Sequence, residues 1–393
     1  MRILFTGGGS GGHLYPIIAV LREIQHIAEE ERILNLEFFY LGPDDFGTDF
    51  MNTLRQEGVL PVKVRCGKWR RYFSFANFLD IFNVVIGVLQ AVWNMYLILP
   101  DIIFSKGGYG AFPAIFAAKL FRIPIIMHES DAIPGKVSLH TARIAKRIGI
   151  AFPHAASFFP KEKTALVGVP IRKRLLGGNL AESKEILNIY SNLPVVGIIG
   201  ASQGSEKIND AVTDVLKELA SEYEVVHQTG TANLEAIKQE SQVILEFGHR
   251  EHYHAFGFLD EGKLREFYTA SDLIIARAGA STIYEIAAWG KPSILIPLAN
   301  AAQDHQRKNA YDYAATGAAI VIEETNLSPH ILLAEIKKVL GDAEHMKKMK
   351  EAAQKFARID AAELIAREIL KLGMHDVLPP PENIPAPTAP KPK

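Results

Sequence analysis

Short apolar runs alternate along the chain with longer stretches of helical periodicity, and this alternation predicts an α/β fold with parallel sheets. The runs are rich in Ile, Val and Leu and end at glycine or polar residues, which is typical of buried parallel strands. The predicted strands are Arg2–Thr6, Leu36–Leu41, Val62–Val64, Ile102–Phe104, Ile123–Met127, Pro194–Ile199, Val225–Gly230, Ala255–Leu259, Leu273–Ala276 and Ser293–Pro297.

The pattern of the first residues returns in the second half of the chain. Pro194–Ile199 is followed by the small-residue turn Gly200–Ser205 and by a predicted helix over Lys207–Leu219, as the first strand is followed by a glycine loop and a helix. With 393 residues the chain is too long for one typical core. We therefore expect two α/β units that face each other across a cleft, with the crossing between them at Val167–Arg172.

Three turns at predicted strand ends carry candidate functional residues. Gly7–Gly12 fits the dinucleotide fingerprint G-x-G-x-x-G, and glycines there let a pyrophosphate or an acceptor approach the backbone. Gly107–Gly110 and His128–Asp131 follow two other strands, and ligands of open parallel sheets bind beyond the carboxyl ends of the strands. We expect the three turns to meet at one rim. His13 is there either a base that titrates near neutral pH or a residue that only packs on the loop.

A fourth turn, in the second half, leads from the strand Leu273–Ala276 into a helix. The N-terminus of such a helix presents unpaired N–H groups and a positive dipole end, which suit a phosphate. Glu285, one turn into the helix, suits the two hydroxyls of a sugar. Thr282-x-x-Glu285 is also a capping box, in which Glu285 would only bind a backbone N–H, and the spacing alone leaves both interpretations open.

Charge and cysteine content exclude some classes of protein. The formal net charge is −1 and no long basic run is present, which argues against a nucleic-acid-binding protein. Cys66 is the single cysteine, so no internal disulfide can form and a reducing compartment fits. The first residues form a predicted strand without the pattern of a secretory signal, and we expect a cytoplasmic location.

The stretch Ile81–Leu99 contains no charged residue and approaches the length of a membrane span. We predict a crossover helix instead, because the stretch joins two strands of one sheet. Basic and aromatic residues precede it, and such a surface is expected to lie on an anionic membrane. A buried crossover helix without membrane contact is the alternative. The candidate membrane residues are Trp69, Arg70, Arg71, Phe73 and Phe75.

Seven ordered motifs resemble those of the MurG family, the N-acetylglucosaminyl transferases that complete the lipid-linked peptidoglycan precursor in bacteria. The likeness spans about Met1–Leu372. The motifs are Gly8–His13, Gly107–Tyr109, His128–Asp131, Gly168–Arg172, Gly200–Gly204, Arg277–Glu285 and His305–Ala310.

The resemblance implies the GT-B fold, in which two Rossmann-like domains face across a cleft. It implies an acceptor- and membrane-binding domain at 1–163, a donor-binding domain at 164–355, and a helix at about 356–372 that returns to the first domain. The Pro-rich residues 373–393 are expected to form a disordered tail.

The activity implied by the resemblance is inverting transfer of N-acetylglucosamine from UDP-N-acetylglucosamine to the 4-hydroxyl of undecaprenyl-diphosphate-linked N-acetylmuramyl pentapeptide. No cofactor and no metal ion are implied, because no Asp-x-Asp motif stands in the relevant region. The expected location is the cytoplasmic face of the cell membrane, as a peripheral protein of peptidoglycan synthesis and cell division, with other cell-wall synthesis proteins as further partners.

The resemblance also implies site residues. His13 would be the general base. The implied donor contacts are Ser10, Gly11, Gly12, Asp131, Arg172, Ser202, Leu259, Ala280, Ser281, Thr282, Glu285 and Gln306. The implied acceptor contacts are Gly107, Gly108, Tyr109, His128 and Glu129. Asp131 departs from the family pattern, which more often has Asn, and its role is therefore left open.

Other functions fit parts of the sequence. A nicotinamide-dependent oxidoreductase would use Gly7–Gly12 with Asp44 or Asp45 on the ribose, but it leaves Glu285 and Gln306 unexplained. An epimerase or a diacylglycerol glycosyltransferase on the same fold would differ in its acceptor. A nucleotide-sugar sensor without turnover is an interpretation that does not involve an enzyme.

Overall fold

The computed structural model describes residues 1–8, 11–43, 47–67, 75–200, 203–245 and 248–375. The first half forms a seven-stranded parallel sheet in the order β3-β2-β1-β4-β5-β6-β7. Its strands are β1 (Arg2–Thr6), β2 (Glu37–Gly42), β3 (Val59–Lys63), β4 (Ile102–Ser105), β5 (Ile125–Glu129), β6 (Arg147–Ile150) and β7 (Thr164–Leu166).

The second half forms a six-stranded parallel sheet in the order β10-β9-β8-β11-β12-β13. Its strands are β8 (Val195–Ile199), β9 (Glu224–Gln228), β10 (Tyr253–Phe256), β11 (Leu273–Ala276), β12 (Ser293–Leu295) and β13 (Ala319–Val321). In both sheets the strand order reverses beside the first strand, at β1/β4 and at β8/β11. The carboxyl ends at such a reversal form the crevice where ligands of open α/β sheets bind.

Helices connect the strands. They are α1 (Gly11–Glu30), α2 (Gly47–Gln56), α3 (Phe75–Ile98), α4 (Phe112–Phe121), α5 (Lys136–Ala142), α6 (Leu180–Ile186), α7 (Glu206–Thr213), α8 (Leu216–Glu222), α9 (Leu234–Ile244), α10 (Glu261–Ala270), α11 (Ala280–Ala288), α12 (His305–Ala314), α13 (Pro329–Leu340), α14 (Ala343–Phe356) and α15 (Ala361–His375).

The predicted fold class, two Rossmann-like α/β units, is confirmed by the two parallel sheets. Strands β1 and β11 have the predicted bounds. Strands β6, β7 and β13 were not predicted, because they have only three or four residues and lack a distinct apolar run. The predicted helix Lys207–Leu219 is wrong as one element, since α7 ends at Thr213 and α8 begins at Leu216.

The last helix, α15, packs on the first half of the molecule. Its apolar residues Ile365, Ala366, Ile369 and Leu370 are buried in one cluster with α1 and with β1 and β4. Strand β7 also belongs to the first sheet, so that sheet continues past residue 163 to Leu166. The second half therefore begins after β7, in the segment that carries Arg172.

Helix α3 joins β3 to β4 within the first sheet, as predicted from the position of the uncharged stretch. Ala91, Met95 and Ile98 bury one side of the helix against α4 and the sheet. Among the described residues, no helix combines the length and the apolar character needed to cross a membrane.

Candidate active site

Two glycine-rich turns of the first half pack backbone against backbone beyond β1 and β4. Gly108 has a φ of 80°, and a Cβ there would lie 2.0 Å from the Gly8 carbonyl oxygen. Gly110 is also tight, since its Cβ would lie 2.5 Å from Pro43 Cδ. Only glycine fits such an approach, so the predicted convergence of these turns on one rim is observed.

Behind this rim lies a buried polar cluster centred on Lys106. Lys106 Nζ lies 2.9 Å from His128 Nδ1 and donates to Ser130 Oγ, while His128 Nε2 lies 2.7 Å from the Gly168 carbonyl oxygen. Burial lowers the pKa of Lys106 to about 8, against the opposing effect of Glu129 and Asp131. Burial and the Lys106 ammonium hold the pKa of His128 well below its usual range. His128 is thus a neutral imidazole that accepts from Lys106 and donates to Gly168.

Glu129 belongs to the same cluster and is 7% exposed. Its Oε1 accepts from the Asp131 backbone N–H at 3.1 Å, and burial raises its pKa, with the neighbouring Asp131 as the next cause. His128 and Glu129 therefore lie beneath the rim, whereas Gly108 and Tyr109 are partly exposed on it.

His13 stands near the start of α1, partly exposed, between groups of both halves. Desolvation by the surrounding protein, and next the Lys106 ammonium, lower the pKa of His13 to about 4; Asp131 opposes this shift and His305 adds to it. The imidazole is neutral at physiological pH and can accept a proton there.

Helix α11 begins at the turn predicted to bind phosphate. Its N-cap is Gly279, and no side chain caps the first turn. The capping-box interpretation of Thr282 and Glu285 is therefore wrong, because Thr282 lies inside the helix. Glu285 Oε2 instead accepts from the Tyr268 hydroxyl at 2.9 Å. The N–H groups of the first turn are left for a ligand.

Arg172 lies beside Glu285 and is 8% exposed. Its Nη2 is 3.6 Å from Glu285 Oε1, its Nε is 3.8 Å from Glu261 Oε1, and the guanidinium carbon lies 4.1 Å from the centre of the Tyr15 ring. Burial raises the pKa of the Glu285 carboxyl, and Arg172 and Tyr268 partly oppose this. The arrangement sets a carboxylate that can accept two hydroxyls next to a cation suited to a phosphate.

The two halves also meet through direct hydrogen bonds at the rim. Asn309 is completely buried; its Nδ2 donates to Asp131 Oδ1 at 2.9 Å and its Oδ1 accepts from the Ala132 N–H at 2.8 Å. Ser281 Oγ donates to the Gly12 carbonyl oxygen at 3.4 Å. The N-termini of α1 and α11 consequently face each other.

Arg277 follows β11 directly and joins three loops of the second half. Its Nη2 donates to Ser205 Oγ at 2.6 Å and to Glu324 Oε1 at 2.5 Å, and Glu324 Oε2 accepts from the Ala299 N–H at 3.2 Å. Burial alone would raise the pKa of Glu324, but these bonds hold it below the usual value. Gln306 closes the same loop by accepting from the Leu298 N–H at 3.0 Å.

The structure brings many of the predicted site residues into one region and leaves others undescribed. Gly12, His13, Asp131, Arg172, Ser281 and Glu285 line the junction of the two halves through the contacts above. Leu259 is buried in the core of the second half, close to the start of α10. The residues outside the described ranges are Ser10, Asp44, Asp45, Trp69, Arg70, Arg71, Phe73 and Ser202, together with residues 376–393 of the predicted tail.

Sequence reasoning missed several residues of this region. Tyr268 lies on α10, which carries no motif, and Tyr15 lies two residues past the motif Gly8–His13, so neither is part of a recognisable pattern. Lys106 precedes Gly107 directly, and its position at a strand end was an available signal. In the part of the chain that the structure describes, no group of three His, Cys, Asp or Glu residues could hold a metal ion.

Comparison with known proteins places both halves in one enzyme family. The Glycosyltransferase family 28 N-terminal domain matches residues 3–150, and the Glycosyltransferase family 28 C-terminal domain matches residues 195–365. The crystal structure of Acinetobacter baumannii MurG shares the fold, with a TM-score of 0.70, 23% identity, and coverage of 94% of this chain and 99% of that one.

Two curated relatives carry the name UDP-N-acetylglucosamine–N-acetylmuramyl-(pentapeptide) pyrophosphoryl-undecaprenol N-acetylglucosamine transferase. The Clostridium tetani protein is 32% identical over 356 residues, which cover 90% of this chain and 94% of the relative. A Bacillus cereus protein, distinguished as number 2 of that name, is 33% identical over 369 residues, which cover 94% and 99%. On this identity and coverage, the chain belongs to glycosyltransferase family 28 and, within it, to the MurG family of these N-acetylglucosamine transferases.

Proposed function

We propose that this protein transfers N-acetylglucosamine from UDP-N-acetylglucosamine to the 4-hydroxyl of an undecaprenyl-diphosphate-linked N-acetylmuramyl pentapeptide. The observation that carries the proposal is the meeting of the α1 and α11 N-termini, with Ser281 against Gly12 and with Arg172 and Glu285 beside them. Family membership at 32–33% identity over nearly the whole chain selects this transfer among the reactions that the fold can support.

On the donor side, Glu285 would accept the ribose hydroxyls. Arg172 and the first-turn N–H groups of α11, at Ala280–Thr282, would hold the diphosphate, together with Ser202. The Leu259 backbone would bind the uracil edge, and Gln306 and Asp131 would face the sugar. When the glycosidic bond breaks, its electron pair passes to the β-phosphate oxygen, and Arg172 and the helix dipole stabilise the charge of the departing UDP.

On the acceptor side, Gly107, Gly108 and Tyr109 would form the surface against which the muramyl group lies, with His128 and Glu129 supporting it from below. The 4-hydroxyl oxygen attacks C1 of the sugar from the face opposite UDP, which inverts the configuration. His13, neutral at physiological pH, would accept the hydroxyl proton. The acceptor's own diphosphate would raise the basicity of His13 when bound, since nearby anions favour the imidazolium.

We further propose that α3 rests on the inner leaflet of the cell membrane. Phe82, Val85, Leu89, Trp93 and Tyr96 are between 53% and 65% exposed and recur at helical spacing on one side of the helix. An exposed apolar stripe of this size marks an interaction surface. With Trp69–Phe75 preceding it in the sequence, the stripe would bring the acceptor rim of the first half to the lipid, while the second half binds the donor.

The test combines calorimetry with an assay. The protein should bind UDP but not NAD, and it should convert a lipid-linked muramyl pentapeptide and UDP-N-acetylglucosamine to the disaccharide product. Absence of heat with UDP would refute the donor assignment. UDP binding with interconversion of the donor sugar, and without transfer, would identify an epimerase instead.

A further inference from the structure

An alternating series of charged groups runs from the first half of the molecule into the donor region. Arg22 on α1 donates to Glu57 through Nη2 at 2.6 Å, and its Nη1 donates to both carboxylate oxygens of Glu261 at 3.0 and 3.1 Å. Glu261, at the start of α10, is next to Arg172, which is next to Glu285. Anions and cations therefore alternate across the junction of the halves, in the order Glu57, Arg22, Glu261, Arg172 and Glu285.

Arg172 occupies an unusual position in this series. Its Nε is buried and makes no hydrogen bond within the described residues, and its distances of 3.8 Å to Glu261 and 3.6 Å to Glu285 are too long for hydrogen bonds. A buried donor without an acceptor is costly unless a ligand or another group supplies one. The guanidinium carbon also lies 4.1 Å from the centre of the Tyr15 ring, a cation–π contact that adds to the two long ion pairs.

Glu261 is the protein group that could supply the missing acceptor for Arg172 Nε, since its Oε1 lies 3.8 Å away. A shift of about 1 Å would bring its carboxylate within hydrogen-bonding distance of Arg172 Nε. Both of its oxygens are instead engaged by Arg22, which is itself fixed by Glu57 through Nε and Nη2. Arg22 and Arg172 thus compete for one carboxylate, and in this structure Arg22 holds it.

We propose that Arg22 is a positioning residue for the donor site: it retains Glu261 at a distance from Arg172 and so keeps the Arg172 guanidinium available to the donor diphosphate. The inference rests on the proposed function, in which Arg172 binds that diphosphate. Without Arg22, Glu261 turns to Arg172, neutralises it and withdraws it from the ligand. Arg22 itself contacts no substrate.

If Arg22 acted only as an ion pair between the halves, removal of another such ion pair would weaken UDP binding equally. Lys173 provides this control. Lys173 Nζ pairs with Glu23 Oε1 at 2.7 Å, so it also links α1 to the segment that follows the first sheet. This pair faces neither Arg172 nor Glu261 within hydrogen-bonding distance. Lys173→Met removes one ion pair between the halves without releasing Glu261.

The experiment compares four variants of the full-length protein: Arg22→Met, Glu261→Gln, the double variant, and Lys173→Met. UDP affinity is measured by calorimetry, and kcat and KM for UDP-N-acetylglucosamine by the transfer assay. We expect Arg22→Met to weaken UDP binding and raise KM about tenfold, with a smaller effect on kcat, as loss of one charge-assisted hydrogen bond would. Glu261→Gln and Lys173→Met should each change UDP binding less than about threefold.

The double variant Arg22→Met with Glu261→Gln tests whether the effect of Arg22 acts through the Glu261 carboxylate. Because the amide introduced by Glu261→Gln carries no charge that could capture Arg172, combining it with Arg22→Met should recover UDP affinity to within about threefold of the unaltered protein. A double variant as weak as Arg22→Met overturns the proposal, and so does an equal loss in Lys173→Met. If Arg22→Met fails to fold by circular dichroism, Arg22→Gln replaces it in the same cycle. If the unaltered protein binds no UDP, the proposed function is what fails.

Discussion

Asn309 and Asp131 are hydrogen-bonded across the two halves of the molecule, with 2.9 Å between Asn309 Nδ2 and Asp131 Oδ1. The same amide accepts from the Ala132 N–H, so a single buried side chain fixes the turn after β5 to helix α12. The Asp131 carboxylate accepts from the Asn309 amide N–H and so has a defined partner in the other half of the molecule.

Asn309→Ala should therefore destabilise the protein. The buried Ala132 N–H would lose its acceptor and the partly exposed Asp131 carboxylate a donor, and we expect a loss of about 1–3 kcal/mol in the free energy of unfolding. Urea denaturation followed by circular dichroism measures this. Arg307→Ala on the exposed side of α12 is the control; it removes only exposed ion pairs with Glu323 and Asp304 and should cost less than about 1 kcal/mol. An unchanged midpoint for Asn309→Ala would contradict the role assigned to the amide.

Glu285→Gln should weaken UDP binding by about 10–100-fold, because a neutral amide accepts hydroxyls less strongly than a carboxylate and also exposes a donor to them. Burial raises the pKa of Glu285, so the carboxylate takes up a proton at a higher pH than an ordinary glutamate does. UDP affinity should accordingly fall as the pH is lowered through that raised pKa, and Glu285→Gln should lose this dependence. Calorimetry at a series of pH values from neutral downward checks both statements.

His13→Ala should lower kcat by about 10²-fold or more while UDP affinity changes little, because general-base catalysis contributes a factor of that order. Unchanged turnover would remove His13 as the base. Stopped-time transfer assays measure kcat, and calorimetric titrations of the same variant measure its UDP affinity.

Lys106→Met should move the acid limb of the kcat/KM profile to higher pH. The Lys106 ammonium lowers the pKa of His13, so its removal raises that pKa, and the base becomes protonated earlier as the pH falls. Lys119→Met, an exposed lysine in the last turn of α4, should leave the profile in place. If the profile of Lys106→Met does not move, Lys106 does not influence the pKa of the catalytic base.

Leu89→Ser combined with Trp93→Ser should reduce binding to vesicles that contain anionic lipid and leave UDP binding intact. Each side chain is more than 60% exposed, so the change removes apolar surface without opening the core. Val243→Ser, at an exposed apolar residue of the second half, is the control and should bind vesicles normally. Joint replacement of Arg71, Phe73 and Phe75 by Ser is expected to act like the α3 variant.

The fold could be predicted from the sequence because short apolar runs and the glycine turns that follow them are local signals. Strand β11 and the turn at Gly279 are examples. The site could be predicted only in part. Glu285 was visible in its motif, but its partner Tyr268 lies on another helix, and the competition of Arg22 and Arg172 for Glu261 depends on distances across the two halves. Such pairings are set by tertiary packing, which spacing along the chain does not encode.

The packing of α15 against α1 has a consequence for synthesis of the protein. The apolar side of α1 that meets Ile365 and Ile369 stays uncovered until residues near the far end of the chain have left the ribosome. The core of the first half is therefore complete only after the second half has been synthesised. A chaperone that shields α1 during translation would have its natural target there.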